Sequence, residues 1–400
     1  MRPELQDIVD ETSRLLKAAT TLEDREFNLI AFGTQPAEID AVRQASILQR
    51  QSAPETRVWF ESFGIGTSPG PVRTPADAKL GMLSRICLPA RWRGVTYGWL
   101  WVLDNRRALD DPDVVEAANL AEHAGAYLAQ MNREREDDAL AITDLLGSDL
   151  DSISRSALRI TDRGLISRGV PVVAVVVGIV NPSRENVSLN LWSLPRNVLA
   201  DPGPHSTTLL VELRDAADLD PAREAAQRIL DLYRARLAGD GDVRLVAGIG
   251  DPRSDLLQLR SSWMQARVAA RVAAAVPSVP AIAEWHDLGL YRLIAAAPDP
   301  ELAPLIIDDP VQRLLDCPDA ELAHTVLAYL DRAGNAKETA ADLNIHRQTL
   351  YYRLAKAETL TGLSLTDGRN RLRIHAGLML APLLHPAPPG SALMHPAVSA

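Results

Sequence analysis

The sequence predicts a multidomain α+β protein: two successive regions that mix strands and helices, then a region that is entirely helical. Three observations predict this. At 400 residues and 43.5 kDa, a typical domain size of about 150 residues gives two to three domains. Residues 95–103 (VTYGWLWVL) and 172–180 (VVAVVVGIV) are short β-branched runs that alternate with helical patterns as far as residue 276. Beyond Pro318 the apolar stripes have helical spacing and no strand pattern recurs.

Hydrophobic residues make up 46% of the chain, aromatics 4% and charged residues 24%. The chain therefore builds aliphatic cores, which excludes a disordered, collagenous or disulfide-stapled protein. The two cysteines, Cys87 and Cys317, have no CxxC spacing. This points to a reducing compartment and away from structural zinc. The start meets Asp7, Asp10 and Glu11 too soon for a signal peptide. The longest apolar run, residues 170–180, is too short to span a membrane and carries Pro171 and Gly178. A soluble cytoplasmic protein with no membrane partner is expected. Net charge is −10, but from Glu321 onward Lys and Arg exceed Asp and Glu by two, leaving −12 for the first 320 residues. An acidic body with a mildly basic end suits a protein whose bulk does not touch phosphate.

In the first region, residues 27–32, 83–88 and 95–103 have strand character. Asp111 and Pro112 then cap and open a helical pattern that continues to about Leu146, interrupted by the charged stretch 133–138. It reads either as one connector helix roughly 50 Å long, of a kind that pairs across a dimer, or as two helices with a kink. In the second region, strands are expected over 172–180, 187–194, 207–213 and 243–249, and helices over 221–237 and 254–276. That order suggests an α/β sandwich with helices on one face. Residues 239–241 read as a turn. The tail, residues 385–400, holds four prolines and no charged side chain, a composition that cannot pack a core.

The segment from Glu321 to Leu384 carries the functional reading. Leu322, Thr325, Val326, Tyr329 and Leu330 form an apolar stripe that stops at Gly334. The following residues fit a helix-turn-helix. Ala340 is small where the first helix crosses the second. Leu343, Leu350 and Leu354 supply a shared core, Asn344 stands where the turn needs a left-handed residue, and Ile345 plugs the turn. This register places a second helix from Arg347 to about Leu360 and turns Arg347, Gln348, Tyr351 and Tyr352 outward, where such helices enter the major groove of double-stranded DNA. Arg pairs with guanine and Gln with adenine. His346, Lys337, Thr349 and Arg353 are placed for phosphates or packing. A plain helical hairpin with a solvated polar face is the other reading.

Residues 346–362 (HRQTLYYRLAKAETLTG) resemble the signature of the PucR/CdaR family of bacterial transcription regulators, close to HRNTLRYRL followed by a Thr-Gly helix end. Leu363, Ser364, Leu365, Asp367, Arg371 and Leu372 continue it. The sequence departs at Gln348, usually Asn, and at Tyr351, often Arg, which bears on the operator sequence. Gly248-Ile249-Gly250, residues 261–270 and Asp287-Leu288-Gly289 resemble the family's central domain, a degenerate relative of the GGDEF cyclase domain. Residues 85–89 and 98–101 are similar to a GAF-like sensor. The resemblance implies a GAF-like domain over 1–130, a connector over 131–150, a cyclase-like, ferredoxin-like sandwich over 151–300 and a PucR-type DNA-binding domain over 318–384.

Catalysis finds no support. No GGDEF or GGEEF string occurs, and the central strand ends Gly178-Ile179-Val180-Asn181 without an acid at its tip. Cys87, between Ile86 and Leu88, reads as a buried structural thiol. No histidines stand at HxxxH spacing, and no string qualifies as a phosphate loop. No enzyme activity, cofactor or metal is expected. The expectation is a sequence-specific regulator that answers a small-molecule effector and binds as a homodimer or higher oligomer, because one such module buries little surface. The alternative is a signalling hub whose helical end docks a protein.

Overall fold

The computed structural model describes residues 3–34, 40–50, 52–104, 107–182, 187, 189, 191, 194–195, 197–237 and 243–384. It divides into two compact units, residues 1–143 with 188–196 and 200–202, and residues 144–187 with 197–199 and 203–400.

The first unit begins with helix α1 (Pro3–Leu16), strands β1 (Thr20–Asp24) and β2 (Leu29–Phe32), and helices α2 (Ala41–Gln49) and α3 (Pro54–Glu61). Strands β3 (Val72–Thr74), β4 (Arg85–Trp92) and β5 (Val95–Leu103) follow, then helix α4 (Pro112–Leu145). The sheet has the order β2-β1-β5-β4-β3 with antiparallel neighbours, and its register sets Leu22 opposite Leu100 and Cys87 opposite Trp101. Side chains alternate between its faces. One face sends Leu22, Ile86, Leu88, Leu100 and Val102 into a core shared with Leu5 and Val9 of α1 and Ala121 and Leu128 of α4. The other sends Cys87, Trp99 and Trp101 against Phe27 and Phe60.

Strand β5 lies where its sequence places it. The strand expected over 27–32 starts only at Leu29, because Phe27 has φ 61° and the Asp24 carboxylate accepts the amides of Glu26 and Asn28 in a tight turn. The strand expected at 83–88 starts at Arg85 and runs on to Trp92. Helix α4 is a single helix of 34 residues, about 50 Å long.

The second unit opens with helix α5 (Leu150–Asp162), capped by the Asp149 carboxylate, which accepts the Ser152 amide. Strands β6 (Val172–Val180), β7 (Val198–Pro202) and β8 (Ser206–Glu212), helix α6 (Asp220–Arg236), strand β9 (Arg244–Ile249), helix α7 (Leu259–Ala275) and strand β10 (Ile282–Glu284) follow. The sheet order is β10-β9-β6-β8-β7, with β6 antiparallel to β8 and β9 and β10 parallel to β9. Eight of the nine residues of β6 are buried, as its unbroken apolar run requires. Helix α7 lies directly on β9: a Cβ at Gly248 would sit 2.0 Å from the Ala266 carbonyl, and one at Gly250 would sit 2.1 Å from that of Ser262. Half of the residues of the strand expected over 187–194, and all of the turn at 239–241, lie outside the described residues.

The unit continues as helices α8 (Asp299–Ile306), α9 (Asp309–Leu315), α10 (Ala320–Asp331), α11 (Ala336–Asp342), α12 (Arg347–Thr361) and α13 (Gly368–Leu384). Their core joins Leu322, Val326, Leu350, Leu354 and Ile374 with Val311 and Leu314, so residues before Pro318 also belong to this packing. The far end of α13 buries Leu380, Leu383 and Leu384 with Val246, Val268 and Val272 of the sheet layer. The Arg271 guanidinium reaches both the Asp299 carboxylate and the Leu383 carbonyl. The tail at 385–400 lies outside the described residues. Among those described, no helix is long and apolar enough to cross a membrane.

Candidate nucleic-acid interface

The interface is built from α10 to α13. Helix α10 ends in a left-handed pair, Ala333 (φ 51°) and Gly334 (φ 83°). The Asn335 side chain then caps α11 by accepting the Lys337 and Glu338 amides at 3.1 and 3.3 Å. Thr339 and Ala340 are buried where α11 meets its neighbours. Asn344 takes φ 51°, the left-handed conformation its place in the turn requires, and the Ile345 amide donates back to the Ala340 carbonyl at 2.9 Å. Ile345 packs against the core from the turn.

Leu343 corrects the expected core. Leu350 and Leu354 are buried, but Leu343 is only half-buried and lies outside the hydrophobic cluster. It is the C-cap of α11, and the left-handed residue directly after it swings the chain so that Ile345 enters the core instead. Helix α12 starts at His346, whose Nδ1 accepts the Gln348 amide at 3.3 Å. That bond places the imidazole proton on Nε2. The helix closes at Gly362 (φ 71°), whose amide donates to the Glu358 carbonyl at 2.8 Å.

Arg347, Gln348, Tyr351 and Tyr352 stand at i, i+1, i+4 and i+5, which puts them on one side of α12 at its N-terminal end. All four are exposed, Tyr351 by 58% and Tyr352 by 71%. His346, Thr349 and Lys337 are exposed too. Arg353 is not with them: its Nη1 donates to the Thr325 hydroxyl at 2.9 Å and lies 3.5 Å from the Glu321 carboxylate, with only 21% of the side chain exposed.

The other cations of these helices are mostly held within the chain. Arg332 pairs with Asp342 at 2.6 Å and Lys356 with Asp319 at 2.9 Å. The latter hydrogen bond pushes the Lys356 ammonium up and holds the Asp319 carboxyl down. Arg373 pairs with Asp308, Arg371 caps the Leu365 carbonyl, and Arg313 donates to the Leu360 and Thr361 carbonyls. Among the described residues, the side chains of Lys337, Arg347 and Arg369 have no such partner. Arg369 escaped the sequence reading; its signal is a basic residue directly after the cap-like Asp367.

Arg347 also stands in the first turn of α12, which holds no acid there, whereas the Asp367 carboxylate caps α13 by accepting the Arg369 and Asn370 amides. Helices α1, α3, α4, α5, α6, α8, α9 and α10 each carry an acid in the first turn. An acid offsets the positive end of the helix dipole, whereas an arginine adds to it and leaves a potential that an external anion relieves. Elsewhere, Glu284, His286 and Asp287 bring possible metal ligands within 4.8 Å of one another, but Glu284 already pairs with Arg223 at 2.5 Å.

Residues 322–380 match the PucR C-terminal helix-turn-helix domain and residues 163–272 match a GGDEF-like domain. The chain is 22% identical over 401 residues to the proline-responsive transcriptional activator PutR of Bacillus subtilis (strain 168), covering 94% of this chain and 96% of that one. Over 66 residues it is 39% identical to the purine catabolism regulatory protein of the same organism, covering 16% of this chain and 12% of that protein. A regulator of polyketide synthase expression from Bifidobacterium adolescentis aligns at 17% identity and TM-score 0.24, over 61% of this chain and 99% of that one. The chain thus carries a GGDEF-like domain followed by a PucR C-terminal helix-turn-helix domain, and with its regulator relatives this supports a PucR/CdaR-family transcriptional regulator.

Proposed function

We propose that the chain is a sequence-specific DNA-binding regulator in which α12 enters the major groove and the first unit is a GAF-like sensor of a small molecule. One observation carries the DNA reading. The N-terminal face of α12 presents Arg347, Gln348, Tyr351 and Tyr352 to solvent, while the other basic residue of that end, Arg353, is spent inside the fold. In this reading Arg347 and Gln348 read base edges, with Tyr351 and Tyr352 beside them. Thr349, Lys337 and the Nε2–H of His346 take phosphates. Arg353 positions the helix and does not contact DNA.

The proposed domains are a sensor over 1–130, a connector over 131–150, a relay over 151–300 with no catalytic role, and the DNA-binding module over 318–384, in a cytoplasmic homodimer joined through the connector. The 34-residue helix α4 supports the connector, and dimerisation would supply paired half-sites. The relative PutR, named as proline-responsive, supports control by a small molecule. Hydroxyl-radical footprinting of the full-length protein on DNA from its own upstream region tests the reading. Two protected half-sites separated by whole helical turns are expected. Absence of any protected site across a salt series would contradict it and favour a protein-docking role for the module.

A further inference from the structure

Every buried charged residue among those described lies in the first unit: Glu23, Asp24, Asp40, Arg43 and Arg85, against only Ser and Thr in the second. Burying such groups is costly unless partners satisfy them. Some here are satisfied. Asp40 accepts the Arg85 guanidinium at 2.8 Å, the Arg43 amide at 2.7 Å and the Leu83 amide at 3.1 Å. Glu23 accepts the Ser52 hydroxyl at 3.2 Å and the Trp101 indole N–H at 3.1 Å. Asp24 holds the Asn28 amide and side chain.

The two arginines are left short. Arg43 is 1% exposed, and among the described residues its guanidinium makes one hydrogen bond, from Nη2 to the Trp101 carbonyl at 3.4 Å. Its Nε and Nη1, and the Nε of Arg85, are buried with no acceptor among the described residues. Burial, and then the neighbouring charge of Arg85, press the Arg43 guanidinium below its usual range. Burial likewise lifts the Glu23 carboxyl to about 7, so near neutral pH it does not fully balance the pair. Two like charges with spare donors, sharing the Asp40 carboxylate, describe a seat for one more negative charge. An apolar wall adjoins it. The Arg85 guanidinium lies 5.3 Å over the Phe60 ring; Phe60 packs on Phe27 and Trp101, and Trp99 on Phe27 and Trp101, at centroid distances of 4.2 to 6.4 Å.

We propose that the first unit binds a small carboxylate-bearing molecule, its carboxylate at Arg43 and Arg85 and its apolar body against the Phe27, Phe60, Trp99 and Trp101 cluster. The inference rests on reading the first unit as the sensor. It gives the buried Glu23 and Arg85 on this side of the sheet a role, and it names the class of effector: an organic acid or a zwitterionic amino acid with a compact apolar body.

Thermal unfolding and calorimetric titration of the full-length protein test it with formate, phenylacetate, L-proline and phenylacetamide. At least one carboxylate should raise the unfolding temperature and bind, and phenylacetamide, which keeps the ring but not the charge, should do neither. A response to phenylacetate alone would mark an organic acid, and a response to L-proline alone would mark a zwitterion; either supports the shared chemistry. Arg43→Met should abolish the response while raising the unfolding temperature without ligand, because it removes a buried charge. Arg43→Lys, which keeps the charge but loses donors, should weaken binding at least about tenfold. No shift with any carboxylate, an equal shift with phenylacetamide, or an undiminished shift in both variants would overturn the proposal. Footprinting the same preparation separates the two readings: DNA protection without a carboxylate response overturns this inference alone, and carboxylate binding without protection overturns only the DNA reading.

Discussion

Arg353 of helix α12 donates to the Thr325 hydroxyl of α10 at 2.9 Å, so a basic side chain of the second helix of the helix-turn-helix is used to fix that helix in place. A hydrogen bond to a charged group contributes about 1.5–3 kcal/mol, less here because Arg353 is part-exposed. Arg353→Ala should lower the thermal stability of the second unit and weaken binding to every DNA sequence. The slope of log affinity against log salt should not change. A slope reduced by about one would mean that Arg353 contacts a phosphate after all.

Arg347 and Lys337 are expected to separate base reading from backbone anchoring. Arg347→Ala should cost about 1–3 kcal/mol on the preferred site and loosen sequence preference. Lys337→Ala should weaken all sequences alike and flatten the salt slope by about one. Binding-site selection on each variant checks this; equal losses on every sequence from both substitutions would show that the roles are misassigned.

The close approach of α7 to β9 gives a stability prediction. Gly248→Ala places a methyl group 2.0 Å from the Ala266 carbonyl and forces the helix off the strand. The expected cost is about 1–3 kcal/mol in urea unfolding of the second unit. No measurable loss would mean that the helix has room to move.

Glu23 ties stability to pH in the first unit. Burial raises its carboxyl from 4.5 to about 7, so the folded state keeps a proton that the unfolded chain releases. Its contribution is fully present below pH 4.5 and is lost as pH rises through about 7. The loss amounts to about 3 kcal/mol at most. Glu23→Gln, which still offers an acceptor to Trp101, should stabilise the first unit at pH 8 and flatten its profile between pH 5 and 8. Urea unfolding followed by tryptophan fluorescence measures it; a wild-type profile that is flat across that window would contradict the account.

The helix-turn-helix was legible because its constraints are local. The left-handed Asn344, the Leu350–Leu354 spacing and the Gly362 stop each follow from short-range chemistry, and the expected end of α12 at Leu360 is one residue short of the observed Thr361. Strand β6 was legible for the same reason. Strand β1 was not: Thr20, Thr21, Glu23 and Asp24 carry no apolar alternation, yet all five of its residues are buried because β2 and β5 enclose them. The Arg43 and Arg85 cluster was hidden too, since Asp40, Arg43 and Arg85 meet only through tertiary folding. For Arg353 the sequence left phosphate contact and packing both open, because its partner Thr325 lies 28 residues away.

Fluorescence anisotropy of the full-length protein on DNA from its own upstream region, titrated across a salt series with wild type and Arg347→Ala, tests the central claim most directly. Tight wild-type binding with a steep salt slope, weakened by Arg347→Ala on the preferred site and little changed on unrelated DNA, is the predicted result. Weak binding that neither salt nor Arg347→Ala alters would contradict it.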